Sequence, residues 1–577
     1  MKSLFLNYFN YLIGAYVLVS FLIARSFYAH PIVSAVVVAP NLFLIPYLVG
    51  TSISYLFVKT LNSKRISFRF LIGFLVGIIF LHSLFVLAEF FGYKIEMSIF
   101  DTIIISIIMV GFARNIICQR GRLRKVVVQN YGGSDEEKVD TRFLACILVV
   151  FLIAVTAFYI PKIVVPFPAV SLDGGVGHEI LKPVNRLLSD GVLDVYRTRG
   201  LPVVLEAIVC SLSNVPVLNL DWAAPLGTCL LFAFSMFSLS FSVSKRKIVA
   251  LAAVLLAFFI NTAGLSFDVT SYIFRYSTIM AAIFPLAVQE AYMLFIGVKK
   301  EIFSVRKHIM ILLITTLTII AILWTFDYLR PAFLVSFFEV NEFLRPFLYV
   351  GFLAFSLIYI STLKDQILKD LILVMALLTP FAISLDIFRP VISVLFLYFL
   401  VLLIDQIDFK NAVSSVRTFS VTDLRHWLFG RTKNSRIKLR TLWSVKMNIL
   451  RVISILLVLW LLALISGYVR LEQIAPFYKE QTTSLSKSQS LIASDSIEVL
   501  ILSLFLGVFL LFSSRVEDFA FAFSFIVGMF VYFLPIFEVY YIAHEFLNVF
   551  MAFTISIGTF RIISMINKYM RALKSEI

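Results

Sequence analysis

The chain has 577 residues, 60% of them hydrophobic and only 15% charged, with a mean hydropathy of +0.97 and a formal net charge of +16. So little polar surface excludes a soluble globular protein of this size and predicts a polytopic membrane protein. The positive charge does not mark a nucleic-acid binder, because it sits in short runs between apolar segments: SKRK (244–247), KKEIFSVRK (299–307) and RTKNSRIKLR (431–440). That pattern belongs to cytoplasmic loops facing anionic headgroups.

Apolar runs of about 17–25 residues recur and strand-length alternation is absent, so the predicted fold class is all-α, with about 16 transmembrane helices. The spans fall near 6–24, 32–58, 70–92, 99–117, 143–161, 222–243, 248–262, 276–297, 308–326, 346–362, 371–385, 390–405, 449–467, 497–513, 518–536 and 543–561. The opening MKSLFLNYFNYLIGAYVLVSFLIA starts like a signal peptide, but it has no small-residue cleavage site and runs quickly into another span. It is retained as the first helix. Cys146, Cys210 and Cys229 lie in apolar segments and Cys118 beside a basic loop, so the four cysteines suggest no disulfide framework.

Residues 1–117 form a four-helix N-terminal membrane module with short outer loops, RSFYAH and GYKIEM. A cytoplasmic linker, 118–142, follows. Its Gly-Gly-Ser-Asp-Glu-Glu stretch reads as a solvated turn, since no strand precedes it and no Gly-Lys-Ser follows. Past the next span comes the longest polar segment placed outside, KIVVPFPAVSLDGGVGHEILKPVNRLLSDGVLDVYRTRG (162–200). Within it HEILKPVNRLLSDG predicts a short amphipathic helix, with Ile180, Leu181, Val184, Leu187 and Leu188 on one face and Gly191 as its stop.

The apolar stretch LPVVLEAIVCSLSNVP (201–216) is too short to span and contains Glu206, so it predicts a helix lying at the interface or dipping part-way in. Further on, NTAGLSFDVTSYIFRYSTIMAAIFP (261–285) carries Asp268 and Arg275 seven residues apart, on one face of a helix. A structural ion pair explains those two as well as a substrate contact does. Asp327, Arg330, Glu339 and Arg345 lie among aromatics, as a lid or an interfacial helix; Arg389 sits in a very short turn; Glu538, His544 and Glu545 gather at the outer ends of the last two helices, where His544-Glu545 read as an interfacial anchor or as completing a metal site with Asp173. The basic loop 406–448 and the helices of 449–577 complete the chain. With this alternation most Lys and Arg fall inside, which predicts a multi-pass plasma-membrane protein with both termini cytoplasmic.

One order of features stands out. An acid, Asp173, lies just past a membrane exit within SLDGGVGHEI; then come an amphipathic helix ending in Gly191, an aromatic-basic turn with Tyr196, Arg197 and Arg199, and a short helix containing Pro202. This order resembles the first large outer loop of the GT-C superfamily, polytopic glycosyltransferases that use polyprenyl-phosphate sugars, among them protein mannosyltransferases and archaeal enzymes. The resemblance covers residues 143–247. It implies a GT-C-like membrane core over 143–405, with an outer catalytic loop at 162–221 and extracytoplasmic chemistry.

The resemblance also implies that Asp173 is the general base on the acceptor hydroxyl. Substrate contacts then fall to His178, Glu179, Arg197, Arg199, Asp268 and Arg275, with Arg275 the first choice for phosphate. Its partners would be a polyprenyl-phosphate-sugar donor, a glycan, lipid or protein acceptor, and membrane lipids, with no nucleic acid. A divalent Mg or Mn ion is compatible with such a site, but no ligand spacing singles one out, so no metal ligand is assigned.

Elementary chemistry agrees with these residue types. A sugar hydroxyl is a poor nucleophile and needs a carboxylate within hydrogen-bond reach, and a leaving phosphate needs cationic partners. A plainer reading stays open: Asp-Gly-Gly after a helix is a common turn, and His178-Glu179 are common helix-start residues. The chain departs from the family in the four helices that precede the acidic loop and in the lack of a Trp-Trp-Asp-like motif, which disfavours an oligosaccharyltransferase subunit. A lipid-linked saccharide transporter and a polysaccharide polymerase are the alternative functions.

Overall fold

The computed structural model describes residues 2–57 except 28, 66–129 except 92, 141–164, 176–192, 200–259, 279, 282–290, 451–459, 462, 497–512, 518, 521, 522, 525, 526 and 540–576. Among the described residues the structure is helical, with no strand. The helices are α1 (Lys2–Ser26), α2 (Pro31–Val38), α3 (Asn41–Phe57), α4 (Ile66–Phe90), α5 (Met97–Gln129), α6 (Thr141–Val164), α7 (Val176–Asp190), α8 (Gly200–Ser213), α9 (Val217–Ser244), α10 (Lys247–Phe259), α11 (Ile497–Leu511) and α12 (Tyr540–Glu576). Pro31–Ser54, Met97–Arg114 and Val217–Ser244 are long and apolar enough to cross a membrane, by length and composition.

Helices α3 and α4 make the tightest pair. A Cβ on Gly50 would come within 1.7 Å of the Gly73 carbonyl oxygen, and one on Gly77 within 1.8 Å of the Pro46 carbonyl oxygen. Gly73 and Gly77 are spaced four apart on α4, the small-xxx-small pattern that lets two helix backbones touch. Polar clips hold α1 against this pair. Asn41 donates to Ser20 Oγ at 2.8 Å, and the Tyr47 hydroxyl donates to Asn10.

Two further groupings complete the described bundle. Helix α9 packs against α6, α10 and α2, and Phe158 of α6 meets the edge of Trp222 of α9 at 5.6 Å. Helix α12 packs against α10 and α11. Large apolar side chains also face outward, among them Leu18 and Leu22 of α1, Met109 and Val110 of α5, and Leu148 and Leu152 of α6. Outward apolar faces on several helices suit a hydrocarbon solvent and would be a liability in water.

Candidate functional site

One group of described polar contacts lies where α4 turns into α5. Helix α7 is amphipathic, as its sequence predicts: Val184 and Leu187 are buried, while Lys182, Asn185, Arg186 and Asp190 are exposed. His178 and Glu179 fall in its first turn. The helix stops at Gly191, whose φ of +67° is the left-handed conformation glycine adopts without steric cost. The stop is also a latch. Ile95 N–H in the α4–α5 turn donates to the Gly191 carbonyl at 3.0 Å, and a Cβ on Gly191 would lie 2.6 Å from the Ile95 oxygen.

Helix α8 is enclosed. It packs against α1, α3, α4, α5, α7 and α9, and every residue from Leu201 to Cys210 is buried. A helix simply laid on an interface would expose one face; this one is surrounded by others, which leaves the alternative of a helix dipping part-way in. Its 14 residues reach only ~21 Å, short of the ~30 Å hydrocarbon thickness, so by length it is too short to cross.

Three contacts fix its C-terminal end. Arg25 of α1 donates to the Leu212 carbonyl at 3.1 Å, and Ser211 donates to Asp101 of α5 at 2.5 Å. Asn214 then takes a φ of +60° and donates its N–H to the Cys210 carbonyl at 2.8 Å, which ends the helix.

Within this enclosure lies Glu206, with no exposed surface. Among the described residues neither of its carboxyl oxygens meets a hydrogen-bond donor. Burial pushes its carboxyl well above the ordinary carboxylate range, and the nearby Asp221 carboxyl pushes the same way. Cys210, one turn along α8, has its thiol raised by burial first and by both acids second. Asp221 belongs to the second turn of α9, only 4% exposed. The sequence reading starts that span at 222 and so leaves Asp221 in the loop, whereas the helix begins at Val217.

Asp173, Arg197, Arg199, Asp268 and Arg275 lie outside the described residues, as do the side chains of His178, Glu179, His544 and Glu545. The influence of Asp221 on Glu206, and the hydrogen bond from Ser211 to Asp101, escaped the sequence reading. The available signal was an acid inside an otherwise apolar run, which marks a functional candidate wherever it has to be buried. Among the described residues no group of three or more His, Cys, Asp or Glu side chains converges to hold a metal ion.

The described chain is thus a helical bundle of membrane-compatible helices that encloses a short, acid-bearing helix. No family model, curated protein or solved structure matches it.

Proposed function

We propose that the protein is a polytopic membrane glycosyltransferase of GT-C type. It has about 16 spans and cytoplasmic termini, and it moves a sugar from a polyprenyl-phosphate donor to an acceptor on the extracytoplasmic side. In the reaction the acceptor oxygen bonds to the anomeric carbon as the bond from that carbon to the phosphate oxygen breaks. Asp173 takes the hydroxyl proton, and the lipid phosphate leaves with the electron pair. Arg197, Arg199 and Arg275 supply positive charge for the departing phosphate, and His178, Glu179 and Asp268 contact the sugars.

The observation that carries this reading is the order acid, amphipathic helix, glycine stop, short helix. Its later part is built as helix α7, stopped at Gly191 and latched to Ile95, and then the enclosed α8. The latch fixes α7 against the α4–α5 turn, and positioning is a large part of transfer chemistry.

In liposomes carrying polyprenyl-phosphate sugars, we expect Asp173→Asn to lose at least a hundredfold in transfer while keeping its melting temperature. Full activity in that variant overturns the assignment of the base. The second reading is a lipid-linked saccharide transporter, and the enclosed acids Glu206 and Asp221 favour it, because transporters bury ionisable groups within their helices. Movement of a labelled lipid-linked sugar across proteoliposomes with no glycosidic bond formed would select it.

A further inference from the structure

We propose that the C-terminal stretch of α12, residues 562–575, is a surface anchor that lays its apolar half into the headgroup layer of a membrane containing anionic lipid. The inference goes beyond the transferase reading and does not depend on it.

The sequence IISMINKYMRALKS sorts its residues by the helix period without exception. Ile562, Ile563, Met565, Ile566, Tyr569 and Met570 fall on one half of the circumference, with Leu573 continuing it. Ser564, Asn567, Lys568, Arg571 and Lys574 fall on the other, so the polar half holds three basic residues and no acid. Such a basic amphipathic helix binds a bilayer through two contributions, burial of its apolar half and attraction to anionic headgroups.

Helix α12 has 37 residues and is ~55 Å long, against a hydrocarbon thickness of ~30 Å. Even tilted by ~40°, a helix crosses with ~26 residues, so about 11 lie beyond the hydrocarbon. The surplus belongs to the C-terminal end. Residues 551–558 are buried in the bundle and Arg561 is held by Asp518, whereas 563–567 and 569–571 are exposed on both halves of the helix. Ile563, Met565, Ile566, Tyr569 and Met570 are each more than half exposed, an apolar face left uncovered among the described residues. Sinking the whole circumference into hydrocarbon would take Lys568 and Arg571 with it, and leaving it in water would expose the apolar half. The headgroup layer satisfies both halves, and Tyr569, an aromatic with a polar tip, suits that depth. A second copy or another protein is a poorer occupant. The seam between paired helices is a narrower stripe flanked by charges of both signs, and the charges bordering this face are basic alone.

The test places a nitroxide label at Tyr569→Cys on the apolar half, or at Asn567→Cys on the polar half, of the full-length protein with its native cysteines replaced by serine. In nanodiscs containing phosphatidylglycerol, we expect the label at 569 to meet oxygen more readily than a water-soluble nickel chelate, and the label at 567 to show the reverse. In phosphatidylcholine alone the label at 569 should become open to the chelate. Replacing Lys568, Arg571 and Lys574 with glutamine should weaken docking about fivefold for each charge removed. Equal access of the chelate to both labels in the anionic nanodiscs overturns the proposal, because the tail then stands free in water. Shielding of the 569 label from both reagents also overturns it, because protein then covers the face. Identical behaviour in the two lipids removes anionic headgroups as the partner. If the cysteine-free protein fails to fold, trypsin applied to the native protein decides. Cleavage after Arg571, measured against a soluble control substrate, should be about tenfold slower in the anionic nanodiscs, and equal rates overturn the proposal.

Discussion

Two enclosed acids in this molecule are treated in opposite ways. Asp518 is buried, and Arg561 of α12 grips both of its oxygens, Nε to Oδ2 at 2.8 Å and Nη2 to Oδ1 at 3.0 Å. Glu206 is just as buried, but its neighbour is another acid. A bidentate guanidinium satisfies a carboxylate and joins two segments, so the Asp518 site explains itself as structure. Glu206 has no such grip: neither of its oxygens meets a donor among the described residues, so no ion pair of this kind explains its burial.

The contrast can be broken most severely at Arg561. Arg561→Ala should destabilise the protein by about 3–5 kcal/mol, because Asp518 stays buried without its cation. A fall in the thermal midpoint in lipid nanodiscs measures it, and an unchanged midpoint would show that the pair contributes nothing.

A steric contact between two helix backbones gives the next scale. Gly77→Ala places a methyl against the Pro46 carbonyl and should cost about 1–3 kcal/mol as α3 and α4 are forced apart. Ser211→Ala removes the one hydrogen bond shown for Asp101, whose other oxygen is already without a partner, and should cost about 1–2 kcal/mol. Proteolytic nicking between α8 and α9, followed over time, reads the loosening there.

The smallest effect belongs to Glu206. Replacing Glu206 with its neutral isostere, Glu206→Gln, should change stability by about 1 kcal/mol or less at acid to neutral pH. Its signature is pH dependence. The folded protein holds the Glu206 proton more tightly than the unfolded chain, so this contribution is complete below the ordinary Glu range and is lost as pH rises through the raised folded value. The native protein should therefore lose stability on that rise, and the variant should show a flatter curve. Equal slopes for the two would remove Glu206 from the account.

Much of the helical framework was legible because its causes are local. Apolar run length marks helices such as α4, α6 and α9, and a helix that must hide its backbone polar groups in a hydrocarbon has no other way to do so. Gly191 was legible as a stop for a similar reason, since a left-handed residue after an amphipathic run favours glycine. The four-residue spacing of Gly73 and Gly77 was present in the sequence but gained meaning only once α3 lay against α4.

By itself, the sequence determined that this protein is helical and apolar, that residues 201–213 are too few to cross a bilayer, and that a glycine ends the helix of 176–190. Only the tertiary structure decided that α8 lies inside the bundle and that Asp221, fifteen positions after Glu206, lies near it. The reason is physical. Hydropathy and period report what a residue prefers within its own helix, whereas the ionisation of a buried acid depends on which neighbouring helices surround it and on what those helices carry.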